Sequence, residues 1–492
     1  MRPEDLTGPE LRLWEAFATG DEVDLRPDNA ADGGSVADGA GWGPERTVRA
    51  SVIRSLVLGG AEGVRGETAT LHLTGARISG RLRLLFAEAR CVLWLEGCWF
   101  DEAPQLYGAR LRVTSFMDSY LPGLGAHTST VDGHLDLMNS RIRGKVGLHD
   151  ARIGGSLLLQ GAHLSNPGGL ALDGARLEVA SGIVGTEGFR AEGELRLHEA
   201  RFLSEGLHLE GATLHHPEGE ALSAAGIQVA SGIDCSGGFR AEGAVILTGA
   251  VVGGRVSFEG ATLARPGGHA LACHHLQASE LTLRPARVEG GIDLRHAAIG
   301  IFRLDGGRHH GPPLQLDGLV YRSLEPHLPV RERLAELSRD PDGYRPQPYQ
   351  QLAAVYQAVG HDHDARTVLL ARQRHRRTTL PWHARLWGYV QDATVGYGYV
   401  PARAAVWLMA LLAAGGTIFA GHRPTPQGDA PHPDFNPVVY SLDLLLPVVD
   451  FGQERAFQPT APTQWIAWVL IGAGWLLATA LAAGITRVLS RQ

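Results

Sequence analysis

Val179-Ala-Ser-Gly-Ile183 returns as Val229-Ala-Ser-Gly-Ile233, and Gly188-Phe-Arg-Ala-Glu-Gly193 returns as Gly238-Phe-Arg-Ala-Glu-Gly243. Both shifts are 50 residues. Asn166-Pro-Gly-Gly-Leu-Ala-Leu172 keeps the same step. It comes back as His216-Pro-Glu-Gly-Glu-Ala-Leu222 and then as Arg265-Pro-Gly-Gly-His-Ala-Leu271, 50 and 49 residues on. A shorter unit runs beneath, an alternating apolar stretch closed by Gly-Ala-x-aliphatic. Instances are Gly75-Ala-Arg-Ile78, Gly108-Ala-Arg-Leu111, Gly161-Ala-His-Leu164, Gly174-Ala-Arg-Leu177, Gly211-Ala-Thr-Leu214, Gly249-Ala-Val-Val252 and Gly260-Ala-Thr-Leu263. The apolar residues alternate with period two, as in Leu195-Arg-Leu197 and Leu207-His-Leu209. That is the period of a strand. Alternation alone also suits a sandwich or barrel. The fixed period selects a parallel β-solenoid, or β-helix, in which each turn stacks on the last and buries an aliphatic ladder. Leu, Ile and Val are expected to point inward and Arg, Glu and His outward. Small Gly and Ala at the corners let the chain turn sharply.

Outward from the repeats, Val48, Val52 and Leu56 lie at helical spacing within Glu45–Leu58, which predicts a helical cap preceded by a helix over Gly8–Thr19. Between them, Asp28–Gly43 reads as a Gly/Ala/Asp loop. After Gly311-Pro-Pro313 the period becomes 3.6, predicting helices over Val330–Leu337, Gln347–Val359 and Asp362–Arg377. The last two resemble a hairpin of tetratricopeptide type. The expected organisation is a cap and loop (1–64), a solenoid (65–311), a helical connector (312–400) and a membrane region (401–492).

Two stretches near the C-terminus carry no charge, Ala404–Gly421 and Ala456–Thr486. At about 1.5 Å per residue, roughly 20 residues cross a hydrocarbon core of about 30 Å. Two transmembrane helices are expected, at about 402–421 and 464–486. Arg366, Arg372, Arg374, Arg376, Arg377, Arg385 and Arg403 precede the first, and Arg487 and Arg491 follow the second. The intervening segment holds Arg423 and Arg455 against Asp429, Asp434, Asp443, Asp450 and Glu454. By the positive-inside bias, this multi-pass cell-membrane protein has both termini in the cytoplasm. Trp382, Trp387, Trp407, Trp465 and Trp468 are the expected aromatic anchors, with Arg372, Arg374, Arg376 and Arg377 set against anionic headgroups. Gly474, Ala478 and Ala482 form a small-residue stripe that suits close helix approach and self-association. Pro437–Pro447 is a short apolar helix between the spans, so Asp443 and Asp450 are placed near the membrane surface in a pore-like layout.

The N-terminus is acidic and lacks an apolar run, so no secretory signal is read there. A net charge of −7 excludes a globally basic nucleic-acid binder. Lys145 is the only lysine, a skew that points to a GC-rich coding sequence. Four cysteines without paired spacing exclude a disulfide framework and suit a reducing compartment. The histidine pairs His215-His216, His274-His275 and His309-His310, with His361-Asp-His363, lack metal-site spacing and read as solvated turns, so no metal ligand is assigned. Thr394-Val-Gly-Tyr-Gly398 matches a potassium-filter pentapeptide. It precedes the first span, where a filter cannot work, so Tyr397 and Tyr399 read as interfacial. No nucleophile elbow, phosphate-cradling loop or dinucleotide fingerprint is present, so no catalytic residue and no cofactor is assigned.

These features have a family likeness. Pro348-Tyr-Gln-Gln-Leu-Ala353, Arg385-Leu-Trp-Gly388, Val395-Gly-Tyr-Gly-Tyr399, the segment Asn436–Asp450 and Gly474-Trp-Leu-Leu-Ala-Thr479, with the repeats, carry it. The chain resembles the membrane-anchored, pentapeptide-repeat-like proteins of high-GC Gram-positive bacteria. The resemblance implies a solenoid tethered to a membrane and the label membrane-associated oxidoreductase, for which no flavin, nicotinamide, haem or paired-cysteine motif appears. The residues themselves suggest a scaffold with a protein partner on the solenoid and the lipid bilayer at its tail. A small oligomeric channel or transporter subunit built on 402–487 is the alternative.

Overall fold

The computed structural model describes residues 5–27, 36–61, 69–304, 312–399, 401–427, 433–446 and 449–489, though not the side chains of 395, 398, 401 and 480–489. Half of the Asp28–Gly43 loop (28–35), His309-His310, Asp429 and the side chains of Ala482, Arg487 and Arg491 therefore lie outside the described residues. The chain falls into two compact units, Met1–Gln351 and Leu352–Gln492.

In the first unit the alternating stretches stack as a parallel β-solenoid of about eleven turns. Four of the inward positions in each turn pair strand to strand with the next. Ile153, Leu157, Leu164 and Leu172 of one turn are followed by Val179, Ile183, Ala191 and Leu195 of the next, then by Phe202, Leu207, Leu214 and Leu222. All of them are buried. The ladders so formed exclude water continuously along the stack, and burial of each such side chain is worth about 1.5–3 kcal/mol.

The 50-residue period is two turns, not one. The register Leu157↔Ile183↔Leu207↔Ile233 gives a turn of 26 residues, one of 24 and another of 26. The longer turns carry the Asn166-Pro-Gly-Gly169 and His216-Pro-Glu-Gly219 segments, inside the strands His163–Asp173 and Thr213–Ser223. Each segment bulges out of register with its neighbour. The following turn must then pass beneath the bulge. Gly193 does so at φ 115°, where a Cβ would lie 2.5 Å from the Asn166 carbonyl oxygen and 2.7 Å from that of Gly169. Gly243 and Gly290 repeat the geometry under His216 and Arg265. The Arg-Ala-Glu-Gly motif is thus the underside of the preceding turn's bulge.

The Gly-Ala-x-aliphatic unit is a corner. Its first residue takes left-handed φ, as do Gly161, Gly211, Asp150 and Glu199, and the N–H of the next residue bonds back three positions, as from Ala162 to the Leu159 carbonyl at 3.0 Å. Gly174-Ala-Arg-Leu177 is a false instance. There Arg176 takes the left-handed conformation and Leu177 bonds back to Gly174, so the sequence likeness is two residues out of register.

Both ends of the sheet are covered. α1 (Gly8–Thr19) spans the expected residues. The Glu45–Leu58 stretch is not one helix. Thr47–Arg49 pairs with Arg77–Ser79 as a parallel strand, and only Ala50–Val57 is helical, as α2. Pairing with an open sheet edge outweighs the helical spacing of Val48. At the other end, α3 (Val330–Leu337) buries the Arg333–Glu336 pair at 3.0 Å, and Arg333 donates to the Pro326 carbonyl at 2.6 Å. α4 (Pro346–Ala358) sends Gln347 and Gln351 to the carbonyls of Leu319 and Tyr321 at 2.8 and 2.6 Å. The start of the connector therefore satisfies the sheet's last carbonyls.

The second unit is helical: α5 (Asp362–Thr378), α6 (Trp382–Val395), α7 (Pro401–Gly421), α8 (Pro437–Leu445), α9 (Gln453–Ala456) and α10 (Gln464–Leu489). Its core gathers Phe419, Tyr440, Leu444, Leu445, Phe457, Ala467 and Leu470.

Candidate functional site

α7 is the one helix among the described residues long and apolar enough to cross a membrane. Ala402–Gly421 is 20 residues long, and its most apolar window has a mean hydropathy of 1.8 with only 22 % of it buried. The apolar part of α10 that is described, Gln464–Thr479, is shorter, while its backbone continues helical to Leu489. α10 leaves Trp465, Trp468, Val469, Trp475 and Leu476 exposed, and Trp465 and Trp468 meet edge to face at 4.8 Å.

α6 leads into α7. It exposes Trp382, Leu386, Trp387, Tyr389 and Val390. At its C-terminal end Gly396 is left-handed, so the filter-like pentapeptide is a helix C-cap with Tyr397 folded back over Gly388. Trp407 at the start of α7 donates its indole N–H to the Ala393 carbonyl at 3.1 Å. Trp387, Val390, Trp407, Leu411, Leu476 and Leu477 surround a cavity of about 470 Å³.

The basic run divides in two. Arg374 binds Asp392 in bidentate fashion at 2.9 Å, Arg377 joins it at 3.3 Å while lying over the Tyr389 ring, and Arg403 reaches the same carboxylate at 3.5 Å. Burial pushes the Asp392 carboxyl up, but the bonds and charges of Arg374 and Arg377 outweigh it and hold the group below its ordinary value. Arg372 and Arg376 have no such partner among the described residues. Three arginines on one aspartate leave this end of the unit positive.

Asp443 is buried, and its carboxylate accepts the N–H groups of Phe451 and Glu454 at 2.8 and 2.7 Å. Both oxygens organise the loop after α8. Asp450 accepts the Gly452 N–H at 2.8 Å and meets Arg455 at 3.1 Å. Gly474 sits where α10 crosses α8, and a Cβ there would lie 2.1 Å from the Leu445 carbonyl oxygen. This small residue serves an intrachain contact.

On the solenoid, the fold brings together side chains that sequence spacing did not. Glu194, His198 and Glu220, from adjacent turns, place ligand atoms within 4.8 Å of one another. Two carboxylates and an imidazole suit a divalent cation. Protein partners already occupy them: Arg196 holds Glu194 through Nε and Nη2, and the Ser223 hydroxyl bridges His198 and Glu220. Histidines of neighbouring turns stack. His275 and His296, on neighbouring turns, face each other at 5.2 Å with His274 at 5.4 Å from His296. Burial, then the neighbouring His275, pushes the His274 imidazole below its ordinary value. His215 pairs with Glu242 at 2.6 Å. The four cysteines are free thiols in the core. Burial pushes the Cys98 thiol up to about 12, so it is inert as a nucleophile.

No family model, no curated protein and no solved structure matches this chain.

Proposed function

We propose that the chain is a membrane-tethered binding protein: α7 and α10 cross the bilayer with both termini in the cytoplasm, and the solenoid is the rigid surface that binds. The observation that carries the tether is the uncovered apolar surface of α7, which the protein's own packing leaves to another apolar medium. The exposed tryptophans of α6 and α10 and the unpaired Arg372 and Arg376 support the same reading, since such residues favour the headgroup level. The binding role is supported by a stack whose turns are held by their neighbours on the inside and present polar and charged side chains in register outside, as along His163↔Arg190↔Thr213↔Arg240.

Alkaline carbonate extraction and thiol labelling test it together. The native cysteines are all buried, so Gln427→Cys places one accessible thiol in the segment between α7 and α10. The chain is expected to stay in the pellet at high pH, and an impermeant maleimide is expected to label Gln427→Cys in intact cells. Release into the supernatant, or labelling only after lysis, overturns the topology.

A further inference from the structure

A cleft of about 590 Å³ lies beside the first turns of the solenoid. Two segments line it: Arg49–Arg54, entering α2, and Ser79–Arg83, which follows the strand paired to Thr47–Arg49. Four arginines face it. Arg49 is committed to Glu10 at 2.6 Å and Arg81 to Glu102 at 2.6 Å. Arg54 and Arg83 are exposed and, among the described residues, no hydrogen bond or ion pair engages either guanidinium. Two uncompensated positive charges from different segments thus converge on one concave surface. Ser51, Ser79 and Glu102, the last neutralised by Arg81, complete a lining in which Leu85 is the one large apolar side chain.

Physical chemistry selects the ligand. Guanidinium groups match phosphate oxygens in charge and fork geometry, and such bonds are stronger than neutral ones. The first turn of α2, whose N-cap residue Arg49 makes no side-chain capping bond of its own, opens onto the same cleft. The volume lies within the roughly 300–1,000 Å³ of small-molecule sites, larger than a single halide needs. We infer that this cleft binds a phosphate-bearing dianion or polyanion, gripped by Arg54 from α2 and Arg83 from the facing turn. The inference rests on the reading of the solenoid as the binding part, and is independent of the membrane crossings.

The test uses the full chain in phosphatidylcholine nanodiscs, titrated calorimetrically at low salt with inorganic pyrophosphate and, separately, with short-chain phosphatidic acid. Arg54→Gln and Arg83→Gln are each expected to weaken binding about tenfold, and the double variant roughly a hundredfold. Arg322→Gln, an exposed arginine at the far end of the solenoid, is expected to change nothing. Both tested guanidiniums are exposed and unpaired, so their loss leaves the fold intact. Saturable pyrophosphate binding assigns a soluble ligand, and binding of phosphatidic acid alone assigns a lipid headgroup. Either upholds the site. No saturable binding of either probe, equal losses in Arg322→Gln, or no loss in the cleft variants overturns it. A chain that washes off membranes in carbonate refutes the tether and leaves this readout untouched.

Discussion

Glu10 fastens the N-terminal cap to the solenoid. Its carboxylate is 1 % exposed and accepts the N–H of Thr7 at 2.9 Å, the N–H of Arg49 at 2.9 Å, and the Arg49 Nε and Nη2 at 2.8 and 2.6 Å. Burial raises its pKa, but the four bonds and the Arg49 charge win and bring it from 4.5 to about 2. A depressed carboxylate contributes stability above its unfolded pKa, and that stability is lost as pH falls through the folded value. That lowering is worth about 3 kcal/mol at neutral pH, and roughly 2 kcal/mol of it is gone by pH 3. Glu10→Gln removes the charge and keeps the size. Because each turn of a solenoid is held by its neighbours, the cost falls on the end it caps.

Hydrogen exchange on the full chain reads it directly. At pH 7 the peptides covering α1 and Thr47–Arg49 are expected to exchange about a hundredfold faster in Glu10→Gln, and central turns such as Leu207–Leu222 to be unchanged. Toward pH 3 the gap between the two proteins is expected to shrink, since the unfolded wild-type chain then takes up a proton that the folded carboxylate still refuses. A gap that stays constant from pH 7 to pH 3 would refute the electrostatic account, and one spread evenly over all turns would refute the local one.

Two further substitutions test the backbone geometry, each against a matched control. Gly193→Ala drives a Cβ into two carbonyl oxygens and is expected to cost about 3 kcal/mol or more by denaturant titration; Gly267→Ala, at φ 78° in open space, should cost about 1 kcal/mol, and equal costs would mean the bulge does not cover Gly193. Gly474→Ala pushes α10 off the Leu445 carbonyl and is expected to lower the melting temperature in detergent by several degrees, whereas Gly472→Ala, with nothing within 4 Å, should leave it unchanged.

The solenoid was legible because its ladders repeat, and repetition survives any local ambiguity. Helices α1 and α3 were legible to the residue, since Pro, Gly and apolar spacing agree there. What the sequence hid depends on register. Turn length varies between 20 residues (Arg110 to Thr130) and 27 (His163 to Arg190), so His275 meets His296, 21 residues on, rather than the like-named pair at His215-His216. Gly174-Ala-Arg-Leu177 copies the corner motif by composition alone, and only the left-handed Arg176 reveals the true corner. The Glu194, His198 and Glu220 cluster, likewise, exists only once Leu195 is paired with Leu222.

The same dependence explains where new chemistry can arise on such a chain. A solenoid turn spends its inward residues on the ladders, which are mostly apolar, and leaves most of its outward residues with little folding duty. Two outward residues become neighbours through a register that the inward ladder sets, so a pair such as Arg54 and Arg83 is positioned by Val48 stacked on Ile78, without either arginine contributing to stability. Substitution at the arginines should therefore alter binding with little change in folding, while a cavity-forming change at Ile78 should alter both. An Ile78→Ala variant that lost about 2–5 kcal/mol of local stability yet kept full anion affinity would show that the cleft is not held by the ladder beneath it.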